Sequence, residues 1–115
     1  MTLYGIPNCN TVKKAQDWLK AHQIAFQFHN FKKDGITAQM LTEWFNAFGW
    51  QNVINKNGLT FKKLSKEEQV KINSASSAIT YLMQNTSAIK RPILTQNNQA
   101  ILIGFAQERY ADKFC

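Results

Sequence analysis

The chain has 115 residues, 44% hydrophobic and 18% charged, a composition that fits one globular domain able to bury a core without disulfide or metal staples. That excludes a disordered tail, and no apolar run reaches the roughly 18 residues a membrane span needs. Fourteen Lys+Arg against seven Asp+Glu give a net charge of +7, so anions are the expected ligands. The lysines are scattered or paired, as at 13–14, 32–33 and 62–63, and make no stripe for direct DNA binding.

Residues 2–6 (Thr-Leu-Tyr-Gly-Ile) predict a short strand stopped by Pro7-Asn8. Neither the basic nor the long apolar segment of a secretory signal is present there, so a cytoplasmic protein is expected. Residues 11–22 predict a helix with Val12, Ala15, Trp18 and Leu19 on one face. Residues 24–31 alternate (Ile24, Phe26, Phe28 against Ala25, Gln27, His29), the period of a half-buried strand. Strand, helix and strand in some thirty residues make a βαβ unit with parallel strands.

From residue 35 to 85 the pattern is helical throughout. Thr37 caps a helix that ends at Gly49, with Leu41, Trp44, Phe45 and Phe48 as its apolar stripe. Residues 55–58 form a loop. Ser65-Lys66-Glu67-Glu68 is a capping box, and residues 74–84 predict another helix with Ile79, Leu82 and Met83 inward. Strands return at 92–95 and 100–103 around a turn at 96–98, and residues 107–114 predict a closing helix. The order β-α-β, helical insert, β-β-α is that of a thioredoxin-like α/β fold. Its sheet part is expected at 1–34 and 86–115 and its helical insertion at 35–85.

The chemistry centres on Cys9. It lies between the first strand and the first helix, where the unpaired helix amides and the macrodipole favour a thiolate, the reactive form of cysteine. The alternative is that Cys9 closes the turn as a small apolar residue. A dithiol oxidoreductase would carry its second cysteine at position 12, which is Val12. With no resolving thiol nearby, a mixed disulfide on Cys9 has to be released by an external thiol such as glutathione; the terminal Cys115 resolves it only if a mobile end reaches the site, and otherwise reads as an exposed thiol without function. Lys13 and Lys14 add positive potential in the first turn or point to solvent. In a thioredoxin-like sheet the pair Arg91-Pro92 packs against the thiol, with a cis bond turning Arg91 toward it. Arg91 would then present a planar fork to a carboxylate or oxyanion; otherwise it is a surface arginine beside a strand-starting proline. Two cysteines and two histidines without ligand spacing predict no metal site. His22, His29 and the three tryptophans are expected to pack or face solvent.

The run Leu3-Tyr4-Gly5-Ile6-Pro7-Asn8-Cys9-Asn10-Thr11-Val12-Lys13-Lys14-Ala15, with Lys90-Arg91-Pro92-Ile93-Leu94 and Ile103-Gly104-Phe105, resembles the ArsC/Spx family, and within it the YffB-type branch. The resemblance spans the whole chain. It implies a thioredoxin-like fold with a helical insertion, Cys9 as the catalytic cysteine and Arg91 as the active-site arginine. Asn8, Asn10, Thr11, Lys13 and Pro92 then fall where substrate or glutathione binds. The family's arsenate reductases hold the oxyanion with further arginines, in the loop that is Asn55-Lys56-Asn57-Gly58 here and in the hairpin that is Gly104-Phe105. Neither has one. The Spx regulators bind RNA polymerase and often switch through a CxxC that Val12 removes. The expected activity is a glutathione-dependent monothiol reductase, with glutathione as co-substrate, no bound cofactor, glutaredoxin as a candidate partner and a monomeric state. Its alternatives are an arsenate reductase working with glutathione and glutaredoxin, and an Spx-like protein that binds RNA polymerase.

Overall fold

A computed structural model describes residues 1–115. Its elements are β1 (Thr2–Gly5), α1 (Asn10–Ala21), β2 (Gln27–Asn30), α2 (Phe31–Asp34), α3 (Ala38–Phe48), α4 (Trp50–Val53), α5 (Leu59–Lys62), α6 (Lys66–Lys71), α7 (Ala75–Gln84), a 3₁₀ turn (Thr86–Ala88), β3 (Ile93–Gln96), β4 (Gln99–Ile103) and α8 (Gln107–Phe114). They divide into two compact units, Met1–Gly35 with Arg91–Cys115, and Ile36–Lys90. No helix is long and apolar enough to cross a membrane.

The first unit is a four-stranded sheet in the order β2-β1-β3-β4. β1 and β2 run parallel, while β1–β3 and β3–β4 are antiparallel, so β-α-β and β-β-α halves make the expected thioredoxin-like sheet. Period-two alternation places Leu3, Leu94 and Leu102 in one line across it. Val12, Ala15, Trp18 and Leu19 of α1 and Tyr110 of α8 close the core over that line. The hairpin turns at Asn97 and Asn98, both with positive φ (53° and 64°), a conformation asparagine tolerates better than most residues.

β2 is shorter than its alternating pattern predicts. Its only partner, β1, has four residues, and the ladder from Thr2↔Gln27 to Gly5↔Asn30 uses all of them. Ile24 and Phe26 instead pack on the core cluster without pairing. After Asn30 the chain turns at once into α2, because the Asn30 side chain accepts from the amides of Lys32 and Lys33.

In the second unit Thr37 caps α3 as expected, accepting from the Met40 amide at 3.1 Å, and Gly49 ends it with φ +85°. Leu41, Trp44 and Phe45 are buried. The Ser65–Glu68 capping box starts α6, and Ser74 with Ser77 makes a second one at α7 that the sequence reading did not foresee. On α7 the inward pair is Ala78 and Leu82, four residues apart. Met83 was expected inward but is 41% exposed, since the i, i+4 pair sets the stripe and Met83 falls one residue round from it. Residues 86–90 group with the helices rather than with the sheet part, where the sequence reading put them. Asn55 donates to the Ala88 carbonyl at 2.8 Å and Lys90 to that of Val53 at 2.7 Å, around an Ile54–Ile89 bridge.

Tyr110 supplies a test of core energetics. It is fully buried among Trp18, Phe105 and Phe114, and its hydroxyl has no hydrogen-bond partner. Burial pushes its pKa up to about 12 against the lowering effect of the Arg109 charge. Tyr110→Phe removes an unsatisfied buried oxygen and should leave thermal stability unchanged or raise it by about 1 kcal/mol. Tyr110→Ala should cost about 3–5 kcal/mol. Melting temperatures of the two variants check the pair.

Candidate active site

One end of the sheet gathers three connections. The pairings Tyr4↔Ile93 and Ile93↔Ile103 bring the chain leaving β1, the chain entering β3 and the chain leaving β4 side by side. The Gly104 amide locks the last two together through a 2.8 Å bond to the Pro92 carbonyl. Cys9 sits on the first connection and Arg91-Pro92 on the second, with a cis bond between Arg91 and Pro92. Sequence positions 82 residues apart are thus juxtaposed by register alone.

Cys9 is the N-cap residue of α1, extended at φ −139° and ψ 120°. Its thiol closes no regular side-chain cap, leaving the amides of the first turn to serve the ionised sulfur. Burial raises the Cys9 pKa. The Val12 amide, the hydrogen bond and charge of the Arg91 guanidinium, and the Thr11 amide together outweigh it, and the net shift is below the ordinary thiol value of 9.0. The Thr11 and Val12 amides are the donors an N-cap side chain meets at the second and third helical positions. The sulfur is partly exposed, so a thiolate there is both stabilised and reachable.

A residue the sequence reading passed over fixes this geometry. A Cβ on Gly5 would stand 2.7 Å and 3.2 Å from the two methyls of Val12, with Phe28 in ordinary contact at 3.6 Å. Only a glycine at the end of β1 lets the first turn of α1 come this close to the strand. The legible signal was a glycine facing a buried valine across the turn.

The other expected site residues fall out differently. Thr11 acts at the sulfur through its backbone amide, and Pro92 is buried beneath the site. Asn8 and Asn10 flank Cys9 and are exposed. Lys13 does not turn toward the sulfur, because its Nζ lies 3.0 Å from the Asp17 carboxylate in an exposed i, i+4 pair. Val12, at the position of a second thiol, is buried in the core. Cys115 ends α8, whose eight residues start at the site end of the sheet. Its neighbour Phe114 packs on Trp18, ring centroids 6.2 Å apart, nine residues along α1 from Cys9. In the second unit, Lys56 of the 55–58 loop stands over the Trp50 ring, 5.7 Å from its centroid. His22 stacks on Trp18 at 3.8 Å, and His29 bonds the Gly35 carbonyl at 2.7 Å, so both histidines have packing roles as expected.

Comparison with known proteins agrees with this arrangement. A protein of uncharacterised function from Haemophilus influenzae is 41% identical over 99% of this chain and 98% of its own length. The global transcriptional regulator Spx of Streptococcus agalactiae is 29% identical over 94% of this chain and 78% of its own. Among solved structures, the YffB protein superposes with a TM-score of 0.92 at 38% identity, covering 99% of this chain and 98% of that one. An arsenate reductase-related protein from Brucella melitensis gives a TM-score of 0.78 at 35% identity, covering 98% and 92%. The ArsC family model matches residues 4–113, from β1 through the cysteine turn and Arg91-Pro92 to the last helix, and the chain belongs to the ArsC family.

Proposed function

We propose that the protein is a glutathione-dependent monothiol reductase in which Cys9 is the nucleophile. The observation that carries this reading is a partly exposed sulfur served by two helix amides and a guanidinium, with a buried valine where a resolving thiol would stand. The Cys9 thiolate attacks the glutathionyl sulfur of a mixed disulfide. A Cys9–S–S–glutathione bond forms, and the other half departs as a thiolate that takes a proton from water. A second glutathione thiolate then attacks the glutathionyl sulfur, giving glutathione disulfide and restoring Cys9. Arg91 stabilises the sulfur anion in both directions. Pro92 shapes the floor of the site, and Asn8 and Asn10 meet the substrate backbone at its rim. Lys13 contributes field rather than contact. Such chemistry belongs in a cytoplasm rich in reduced glutathione, with the protein acting as a monomer and glutaredoxin able to take over the release step.

Treatment with glutathione disulfide should place one glutathionyl adduct on Cys9, which reduced glutathione then removes. Peptide mass spectrometry checks this. An adduct confined to Cys115, or none, would sink the reading.

The 29% likeness to Spx over most of the chain favours a second reading, in which the fold docks on RNA polymerase without turnover. Retention of the polymerase by both the wild type and Cys9→Ser, with no glutathionyl adduct, would select it.

A further inference from the structure

We propose that Arg109 anchors a carboxylate of the thiol that becomes bonded to Cys9, so that the site selects disulfides whose thiol half is carboxylated. The inference rests on Cys9 forming mixed disulfides, and adds a recognition residue that the resemblance did not supply.

The chain holds its positive charge almost wholly in lysine, and its only two arginines are Arg91 and Arg109. Both arrive at the same end of the sheet. Arg109 lies in the first turn of α8, and its Nη1 donates to the carbonyl of Ile103, the last residue of β4, at 2.8 Å. The next residue, Gly104, is the one bonded to Pro92. Two backbone-anchored links therefore connect the guanidinium of Arg109 to the proline beside Arg91.

One N–H of the Arg109 fork is used on that carbonyl. Arg109 is exposed, and the Ile103 carbonyl is the hydrogen-bond partner of its guanidinium, so the remaining donors of the fork are available to a ligand. A guanidinium fixed by its own backbone presents a planar fork with little ordering left to lose. That geometry suits a carboxylate, which accepts two parallel bonds. A thiol half-molecule attached at Cys9 and carrying a carboxylate has such a group to offer, whereas a neutral thiol has none.

The test compares adduct formation at Cys9 with glutathione disulfide and with hydroxyethyl disulfide, which carries no charge, in the Cys115→Ser background. The same step occurs with either reagent: the Cys9 thiolate attacks one sulfur, the S–S bond breaks, and the leaving thiolate takes a proton from water. Arg109→Ala should slow the glutathione reaction about fivefold, the scale of a partly exposed charge-assisted contact, and leave the hydroxyethyl reaction unchanged. Arg109→Lys should recover little of the loss. Equal slowing with both reagents would mean that Arg109 only braces the sheet end, and full recovery by lysine would mean general charge attraction; either result overturns the proposal. Unchanged rates with both reagents would overturn it too, while leaving the Cys9 reading intact. Failure of both reagents to modify wild-type Cys9 would instead overturn the underlying reading.

Discussion

Arg91→Ala should slow alkylation of Cys9 by iodoacetamide about tenfold at neutral pH, the scale on which an adjacent cation acts on an ionisable group. The guanidinium contributes a hydrogen bond and a charge to the sulfur, both lowering its pKa against the raising effect of burial. Without them the thiolate fraction at pH 7 falls. The sign reverses at high pH. A thiolate of higher pKa is intrinsically more nucleophilic, with a Brønsted slope of about 0.4–0.5, so once both proteins are fully ionised the variant reacts faster. The two rate-against-pH curves should therefore cross, a signature that loss of a merely structural arginine would not produce. Arg91→Lys should move the curve part of the way back, restoring charge without the fork. Superimposable curves would remove Arg91 from the site.

The same depression links the site to stability. Because the folded pKa of Cys9 lies below the ordinary value of 9.0, its ionisation stabilises the fold fully above that pH, and the contribution fades as pH falls through the folded value. The reactive state thus costs the fold nothing where the thiolate is populated.

Much of this was legible in the residues because local signals and tertiary demands agreed. Val12, Ala15, Trp18 and Leu19 recur at helical spacing and all four are buried in α1. Thr37 and Gly49 bracket α3, and Asn97-Asn98 turns the hairpin. Cys9 and Arg91-Pro92 stood out because each carries a chemical group at a punctuation point between elements. What stayed hidden depends on partners remote in sequence. The alternation from Ile24 to Phe31 could not reveal that β1 would offer only four residues to pair with. Lys13 looked like a site residue until Asp17, one helical turn on, claimed it. The end of the helical unit at Lys90 is set by backbone bonds from Asn55 and to Val53, which carry no side-chain signature. Arg109 is inconspicuous in a basic chain, and its bond to the carbonyl that ends β4 is set by the fold rather than by any local signal.

The largest indirect effect on Cys9 should come from Gly5→Ala. The new methyl would stand 2.7 Å from one methyl of Val12 and 3.2 Å from the other, and a β-branched side chain in a helix has essentially one rotamer to occupy. Phe28 is already in van der Waals contact at 3.6 Å, so relief comes from moving the first turn of α1 off the strand. That displaces the Val12 and Thr11 amides, two of the groups that lower the Cys9 pKa. Gly5→Ala should therefore cost about 1–3 kcal/mol of stability, the usual range for overpacking, and shift the alkylation profile to higher pH. Val12→Ala removes both clashing methyls while keeping the backbone amide. Combined with Gly5→Ala, it should return the profile toward that of the wild type, although alone it leaves a cavity and lowers stability. The double-mutant cycle separates the two roles, because residues in direct contact show coupling that distant sites lack. Additive effects on the alkylation profile would mean that Gly5 does not position the thiolate donors. Recovery of the profile together with part of the stability would identify the strand-end glycine as the residue that sets the distance between the sheet and the nucleophile.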